Sequence, residues 1–296
     1  MTELPSALHQ LVSSVTDTYT VHAEHPRPGH ARASVWEIGG PRRERWFAKQ
    51  HAGALSHRRE VEAYRVWTLR LGSGRAPELV TYDTETYTIL LTAVPGRSLD
   101  AQRLPAEQER KAYEQAGVLL GRLHALTAHE PVTQVTEERW EADVQALLER
   151  AARHVPQEVA AVRAFVEETP PGLPRVATHG DYMPRNWLWD ETEQLLRIID
   201  FERAELQPAA RRDFSRLRYR VLFNRPDLDA AFHYGYGRRP TQEELAACRS
   251  YAAVDALDAL CWGIKHHDFG LVDEAHLMLD NLRRENATRV WGGRVS

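Results

Sequence analysis

Short, largely apolar runs bounded by turn residues fill the first third of the chain and read as strands. Such runs cover Ala33–Ile38, Arg45–Lys49, Glu78–Tyr82 and Tyr87–Val94. Gly39-Gly40-Pro41 and Asp83–Glu85 supply turns between them. Within Arg45–Lys49 the two-residue strand period places Phe47 and Lys49 on one face. His57–Leu71 has a different rhythm: Val61, Tyr64, Trp67 (or Thr68) and Leu71 recur at helical spacing, and Gly72-Ser73-Gly74 ends the helix.

From Pro105 the pattern becomes mainly helical. Ala106–Leu126 carries Tyr113, Ala116, Leu119, Leu120, Leu123 and Leu126 on one broad face, and Glu138–His154 and Gln157–Glu168 predict two more helices. Pro156 and Thr169-Pro170-Pro171-Gly172 end these two. Short apolar segments then return at Val176–Ala177, Trp187–Trp189 and Leu195–Ile199. Thr241-Gln242-Glu243-Glu244 is a capping box that opens a last helix running to about His267.

Composition narrows the class. A chain of 296 residues with 43% apolar and 27% charged positions is long enough for one large domain or two lobes and reads as a soluble globule. The formal charge of −4 gives no reason to invoke nucleic acid. Cys248 and Cys261 stand thirteen apart, without the paired spacing of a zinc site or a disulfide framework. The N-terminal residues lack a basic start and an apolar core, and no eighteen-residue apolar run offers a membrane span, so a reducing cytoplasm is expected. Lysine occurs only at positions 49, 111 and 265 among 38 basic residues, which makes Lys49 on its strand informative.

The chemistry concentrates between Val176 and Leu217. Asp181 is followed five residues on by Asn186, and Asp200 closes the next strand-like run. Two carboxylates and an amide oxygen form a hard-oxygen set suited to Mg2+ and a phosphate chain. Phosphoryl transfer uses such parts: a group that orients the attacking hydroxyl, and ligands for the cation that neutralises the phosphates. His179-Gly180-Asp181 with Pro184 and Asn186, followed fourteen residues later by the end of a run reading Ile199-Asp200-Phe201, resembles the aminoglycoside phosphotransferase and choline kinase-like family of the protein-kinase superfold. Leu120-Gly121-Arg122-Leu123-His124-Ala125-Leu126 resembles the helix that precedes its catalytic loop.

The resemblance implies an α+β, bilobal, protein-kinase-like fold. An antiparallel N-lobe sheet with one helix covers about residues 1–95, and a mainly helical C-lobe covers 96–296. It implies that Asp181 is the catalytic base, that Asn186 and Asp200 hold Mg2+, and that Lys49 reaches the phosphates of ATP or GTP while paired with Glu60, or failing that Glu62. Backbone at Thr92, Ala93 and Val94, the hinge strand, would meet the nucleotide base. His25–His30 takes the place of the phosphate-covering loop, although an ordinary hairpin fits it equally. His124 is expected to pack structurally, His179 to brace its loop, and Gly180 to make a tight turn.

Three departures qualify this pattern. Met183 stands where protein serine kinases carry lysine, Arg185 where glycine is frequent in the family, and Glu202 where protein kinases have the glycine after Asp-Phe. Phe201–Asp213 follows the family's pattern with altered spacing and leaves no room for a long activation segment. Asp213 is read as tying that loop to the next helix.

For the acceptor, the last helix predicts an apolar stripe of Val254, Leu257, Cys261 and Ile264 beside a stripe of Tyr251, Asp255, Asp258 and Trp262. Aromatic faces next to carboxylates suit a cationic sugar or amine. They equally suit a partly solvated helix face. The expected activity is phosphorylation of a small-molecule hydroxyl, with an antibiotic or other natural product, aminoglycoside-like first, as acceptor. A metabolic kinase for choline, homoserine or a sugar and a nucleotide-binding regulatory pseudokinase are the alternatives. Nothing in the sequence sets an oligomeric state.

Overall fold

The computed structural model describes residues 4–25, 34–127, 132–133, 137–166 and 169–292. The phosphate-covering position expected at His25–His30 therefore lies, past His25, outside the described residues. The chain packs as two compact units, each discontinuous in sequence: Met1–Gln108 with His179–Glu205, and Glu109–Thr178 with Leu206–Ser296. The segment His179–Glu205 thus packs in the same unit as the N-terminal sheet.

In the first unit, β1 (Thr20–His25), β2 (Ser34–Gly39), β3 (Arg45–Gln50), β4 (Leu79–Asp83) and β5 (Thr88–Thr92) form an antiparallel sheet of order β1-β2-β3-β5-β4. Strand alternation gives it two chemically different faces. Trp36, Ile38, Trp46, Ala48 and Leu90 pack against Leu4 and against Leu8, Leu11 and Val12 of helix α1 (Ser6–Ser13). Lys49, one position out of phase, points to the other face, in register with Val35 and Ile89.

The helix expected over His57–Leu71 is not uniform. It is α-helical from Ala54 to Glu62 (α2), widens to a π-turn over Ala63–Trp67, and tightens to a 3-10 turn over Thr68–Arg70. The Thr68 hydroxyl donates back to the Tyr64 carbonyl (3.1 Å) across this change of pitch. The expected apolar positions Val61, Tyr64, Trp67, Thr68 and Leu71 are all buried. Single-turn π segments of this kind often mark functional sites.

A second sheet in this unit is formed by β6 (Arg97–Ser98), β9 (Trp187–Asp190) and β10 (Leu195–Ile198). It is anchored to the turn after α2. The Ile198 N–H donates to the Arg75 carbonyl (2.8 Å) and Arg197 Nε to the Gly74 carbonyl (3.0 Å). That anchoring is why the loop segment belongs to the sheet-bearing unit.

The second unit is mainly helical: α3 (Ala106–His124), α4 (Glu137–Ala151), α5 (Pro156–Val166), α6 (Asp213–Arg220), α7 (Pro226–Tyr236), α8 (Gln242–His266) and α9 (Phe269–Gly292). A small sheet of β7 (Val132–Thr133), β8 (Leu173–Thr178) and β11 (Glu205–Pro208) accompanies them. Thr241 and Glu244 form the expected capping box, the Glu244 N–H donating to Thr241 Oγ1 and the Thr241 N–H to the Glu244 carboxylate. α8 packs against α4, α5, α6 and α9, so burial wraps most of its circumference instead of following one stripe. Ile264, expected on the apolar stripe, is 39% exposed. His124 is buried between the Tyr236 hydroxyl (2.9 Å) and Asp213 (3.0 Å), so it joins α3 to α6 and α7. Among the described residues no helix is long and apolar enough to cross a membrane.

Candidate active site

Lys49 is 3% exposed, and its ammonium is ringed by three carboxylates. Nζ lies 2.7 Å from Glu60 Oε2, 2.7 Å from Asp200 Oδ1 and 3.1 Å from Glu202 Oε2. Glu60 faces inward from α2, whereas Glu62 is exposed. Burial alone would raise the Glu60 pKa, but the Lys49 ammonium and a hydrogen bond with His51 hold it below the ordinary carboxylate value. Glu202, noted in the sequence only as a missing glycine, is thus a member of the cluster.

Asn186 and Asp200 are brought together by a hairpin. Ile198 is paired with Trp187, which puts the residues flanking this pair, Asn186 and Ile199, at the open end of β9 and β10. There the Ile199 N–H donates to the Asn186 carbonyl (3.0 Å). Asp200 follows in a left-handed conformation (φ 71°), uncommon for a residue with a side chain. Its N–H donates to the Tyr64 hydroxyl (3.3 Å), and Tyr64 stands edge-on to Phe201 at 5.3 Å.

The loop before β9 is braced from within. His179 Nε2 donates to the Ile199 carbonyl (3.0 Å), and Nδ1 accepts from the Asp181 N–H (3.3 Å), so its two partners fix the tautomer. Gly180 has φ 77°, and a Cβ there would sit 2.2 Å from the Arg203 carbonyl oxygen, so only glycine fits the turn. Asp181 Oδ1 accepts from Arg185 (2.7 Å) and Oδ2 from Asn186 Nδ2 (3.1 Å). With Nδ2 engaged on Asp181, Asn186 has its Oδ1 to offer a cation. That amide oxygen and the Asp200 carboxylate are hard donors of the kind Mg2+ takes, so the residues present fit the ion.

The end of β5 separates the three candidates for contact with a nucleotide base. The Thr92 N–H donates to the Glu78 carbonyl (2.9 Å), its hydroxyl accepts from the Glu78 N–H (2.9 Å), and the Ala93 N–H donates to the Arg45 carbonyl (2.8 Å). Thr92 and Ala93 thus have structural partners for the amides proposed to meet a base. Val94 is the next amide along.

The stripe on α8, in the second unit, does not present two open carboxylates. Asp255 accepts from Arg216 through both oxygens and from Arg220 (3.1 Å), and these guanidinia bring its pKa down to about 2 although burial alone would raise it. Asp258 pairs with Arg150 (2.6 Å) near the surface. Tyr251 is buried edge-on to Trp140 at 5.8 Å, and Trp262 lies against His266 at 4.4 Å.

A buried sheet lysine paired to a helix glutamate, with a braced His-Gly-Asp loop and an Ile-Asp-Phe strand end, on an antiparallel sheet followed by a helical region, defines a kinase-like phosphotransferase. The chain belongs to the phosphotransferase enzyme family APH, whose family model matches residues 25–269. No match is found among curated protein sequences. Solved structures with the same fold include the GDP and kanamycin complex of APH(2")-IIia, at 15% identity over 95% of this chain and 99% of that one, TM-score 0.63. Spectinomycin phosphotransferase APH(9)-Ia with ADP and spectinomycin aligns at 15% identity over 93% and 92%, TM-score 0.61. Macrolide 2'-phosphotransferase MphH from Brachybacterium faecium aligns at 16% over 94% and 98%, TM-score 0.59.

Proposed function

We propose that the protein transfers the γ-phosphoryl group of ATP or GTP to a hydroxyl of a small molecule, an antibiotic or other natural product. The observation that carries this reading is the Lys49 cluster, in which one buried ammonium is aimed by Glu60 and Asp200. In this reading Lys49 binds the nucleotide phosphates, the Val94 amide meets the base, and Asn186 and Asp200 would hold Mg2+. When bound, Mg2+ supplies neutralisation of the phosphate charge. Asp181 accepts the hydrogen bond of the acceptor hydroxyl and orients it, with Arg185 and Asn186 keeping its carboxylate in place.

The GDP, ADP and antibiotic complexes among the similar folds support nucleotide use and a small-molecule acceptor. Asp255 is committed to arginines, so we assign it to the frame of the second unit; the α8 stripe then gives little reason to require a cationic acceptor. Aminoglycosides stay first on the panel, with macrolides beside them and choline, homoserine and sugars as the metabolic alternative. The test is incubation with Mg2+, ATP or GTP and that panel, read by mass spectrometry. One phosphoryl mass gained on one compound, and lost in Asp181→Ala, is the expected result. Failure to bind any Mg2+-nucleotide overturns the reading.

A further inference from the structure

Glu60 has a second partner that the proposed chemistry does not use. His51 directly follows β3, two residues beyond Lys49, and its side chain is fully buried against the same Glu60 carboxylate. Nε2 lies 2.6 Å from Glu60 Oε2, and Nδ1 lies 3.2 Å from the Tyr87 carbonyl oxygen. The His51 N–H donates to that same carbonyl (2.9 Å), which fixes the backbone behind the ring. The His57 ring stands edge-on at 5.5 Å and is itself bonded to the Thr88 carbonyl (3.2 Å), which closes the far side. An ionised Glu60 carboxylate can only accept, so the hydrogen of the 2.6 Å contact sits on His51 Nε2. One carboxylate oxygen of Glu60 therefore sits between two donors, 2.7 Å from Lys49 and 2.6 Å from His51.

His51, Glu60 and Glu202 also lie close enough together to suggest a metal site. The Lys49 ammonium already touches two of the three, at 2.7 and 3.1 Å, so the cation position is filled by the protein.

We propose that His51 is a positioning residue, a donor that fixes the Glu60 carboxylate so that Glu60 in turn aims Lys49. The inference rests on the reading of Lys49 as the nucleotide-phosphate ligand. Its test is a substitution series ordered by donor geometry instead of volume. His51→Gln keeps an N–H near the Nε2 position, His51→Asn keeps one only near Nδ1, and His51→Phe fills the space with no donor. Removing a hydrogen bond to a charged group at such a position is worth about tenfold to a hundredfold. Mg2+-nucleotide affinity should stay within about threefold of wild type in His51→Gln and fall about tenfold or more in His51→Asn and His51→Phe. In a Glu60→Gln background the His51→Asn step should shrink to less than about twofold, because the partner is gone. His51→Phe binding as well as wild type, or an unchanged His51→Asn step without Glu60, overturns the proposal.

Lys49→Ala separates the two readings. If it leaves nucleotide affinity unchanged, the phosphate-ligand reading fails, and the His51 contact is judged by spectroscopy alone. The ring 15N spectrum of the nucleotide-free protein should show hydrogen on His51 Nε2, with that signal displaced in Glu60→Gln. A bare Nε2 overturns the inference even where a variant fails to fold.

Discussion

Two buried charge clusters, one in each unit, are built on opposite plans. Around Lys49 three carboxylates share one ammonium. Around Asp255 one carboxylate meets two guanidinia, and Arg220 continues to Glu274 (2.5 Å) and to the Met278 sulfur. The second cluster closes on itself, cation against anion. The first gathers three carboxylates on one ammonium, where repulsion among the like charges works against them. In the proposed reading the carboxylate-rich cluster receives a cation and a phosphate chain, whereas the cluster around Asp255 belongs to the scaffold.

The largest effect should come from the loop beside the unbalanced cluster. Asp181→Asn keeps the shape of the side chain and removes its charge. Turnover of a phosphorylated acceptor should fall about 10²–10⁴-fold, the usual scale for general-base assistance. Equilibrium Mg2+-nucleotide binding should persist, since Lys49 and Asp200 are untouched. Single-turnover rates and a nucleotide titration on the same sample check both halves; loss of binding in step with turnover would put Asp181 among the nucleotide ligands instead.

The balanced cluster should respond in stability. Asp255→Asn leaves Arg216 and Arg220 facing a neutral amide in a buried site, and breaking such a pair from one side costs about 3–5 kcal/mol. Urea unfolding should show that loss, with nucleotide affinity in the folded fraction unchanged. Acid should act through the same carboxylate. Its pKa in the folded protein is depressed to about 2, so the stabilisation is fully present above the ordinary aspartate value and is lost as pH falls through about 2. The interval between the two values corresponds to roughly 2 kcal/mol. Wild type and Asp255→Asn should therefore converge in stability between about pH 4 and pH 2; a constant gap across that window would mean the arginines do not set the ionisation.

What the sequence made legible followed from local rules. Short apolar runs between turn residues located the sheet, the capping box located the start of α8, and the His-Gly-Asp and Ile-Asp-Phe spacing located the loop and strand end that the β9–β10 hairpin joins. The π-turn at Ala63–Trp67 was hidden because its apolar spacing is still compatible with a regular helix. Glu202 was visible only as a glycine that was missing, since its contact with Lys49 is set by packing across 153 positions of chain. His51 did leave a signal: it stands two residues beyond Lys49. Asp255 misled because a carboxylate beside aromatic residues looks the same in sequence whether it faces a ligand or two arginines from α6.

The smallest effect tests how the unbalanced cluster holds its strained member. Asp200 adopts φ 71°, and a left-handed residue with a side chain persists where its surroundings fix it. Tyr64 supplies one such restraint through the hydroxyl that accepts the Asp200 N–H, on a ring also packed against Phe201. Tyr64→Phe keeps the ring and deletes the acceptor, at a cost of about 1 kcal/mol for a single hydrogen bond of this kind. Because the lost bond restrains a proposed Mg2+ ligand, the change should appear as a several-fold weaker Mg2+ dependence of nucleotide binding, with a Tm shift of only a few degrees. No equivalent sensitivity should follow from Tyr251→Phe, whose ring packs on Trp140 in the balanced unit. If Tyr64→Phe lowers Tm and leaves the Mg2+ dependence untouched, the hydroxyl belongs to the packing of the π-turn and the left-handed turn at Asp200 is held by its other neighbours.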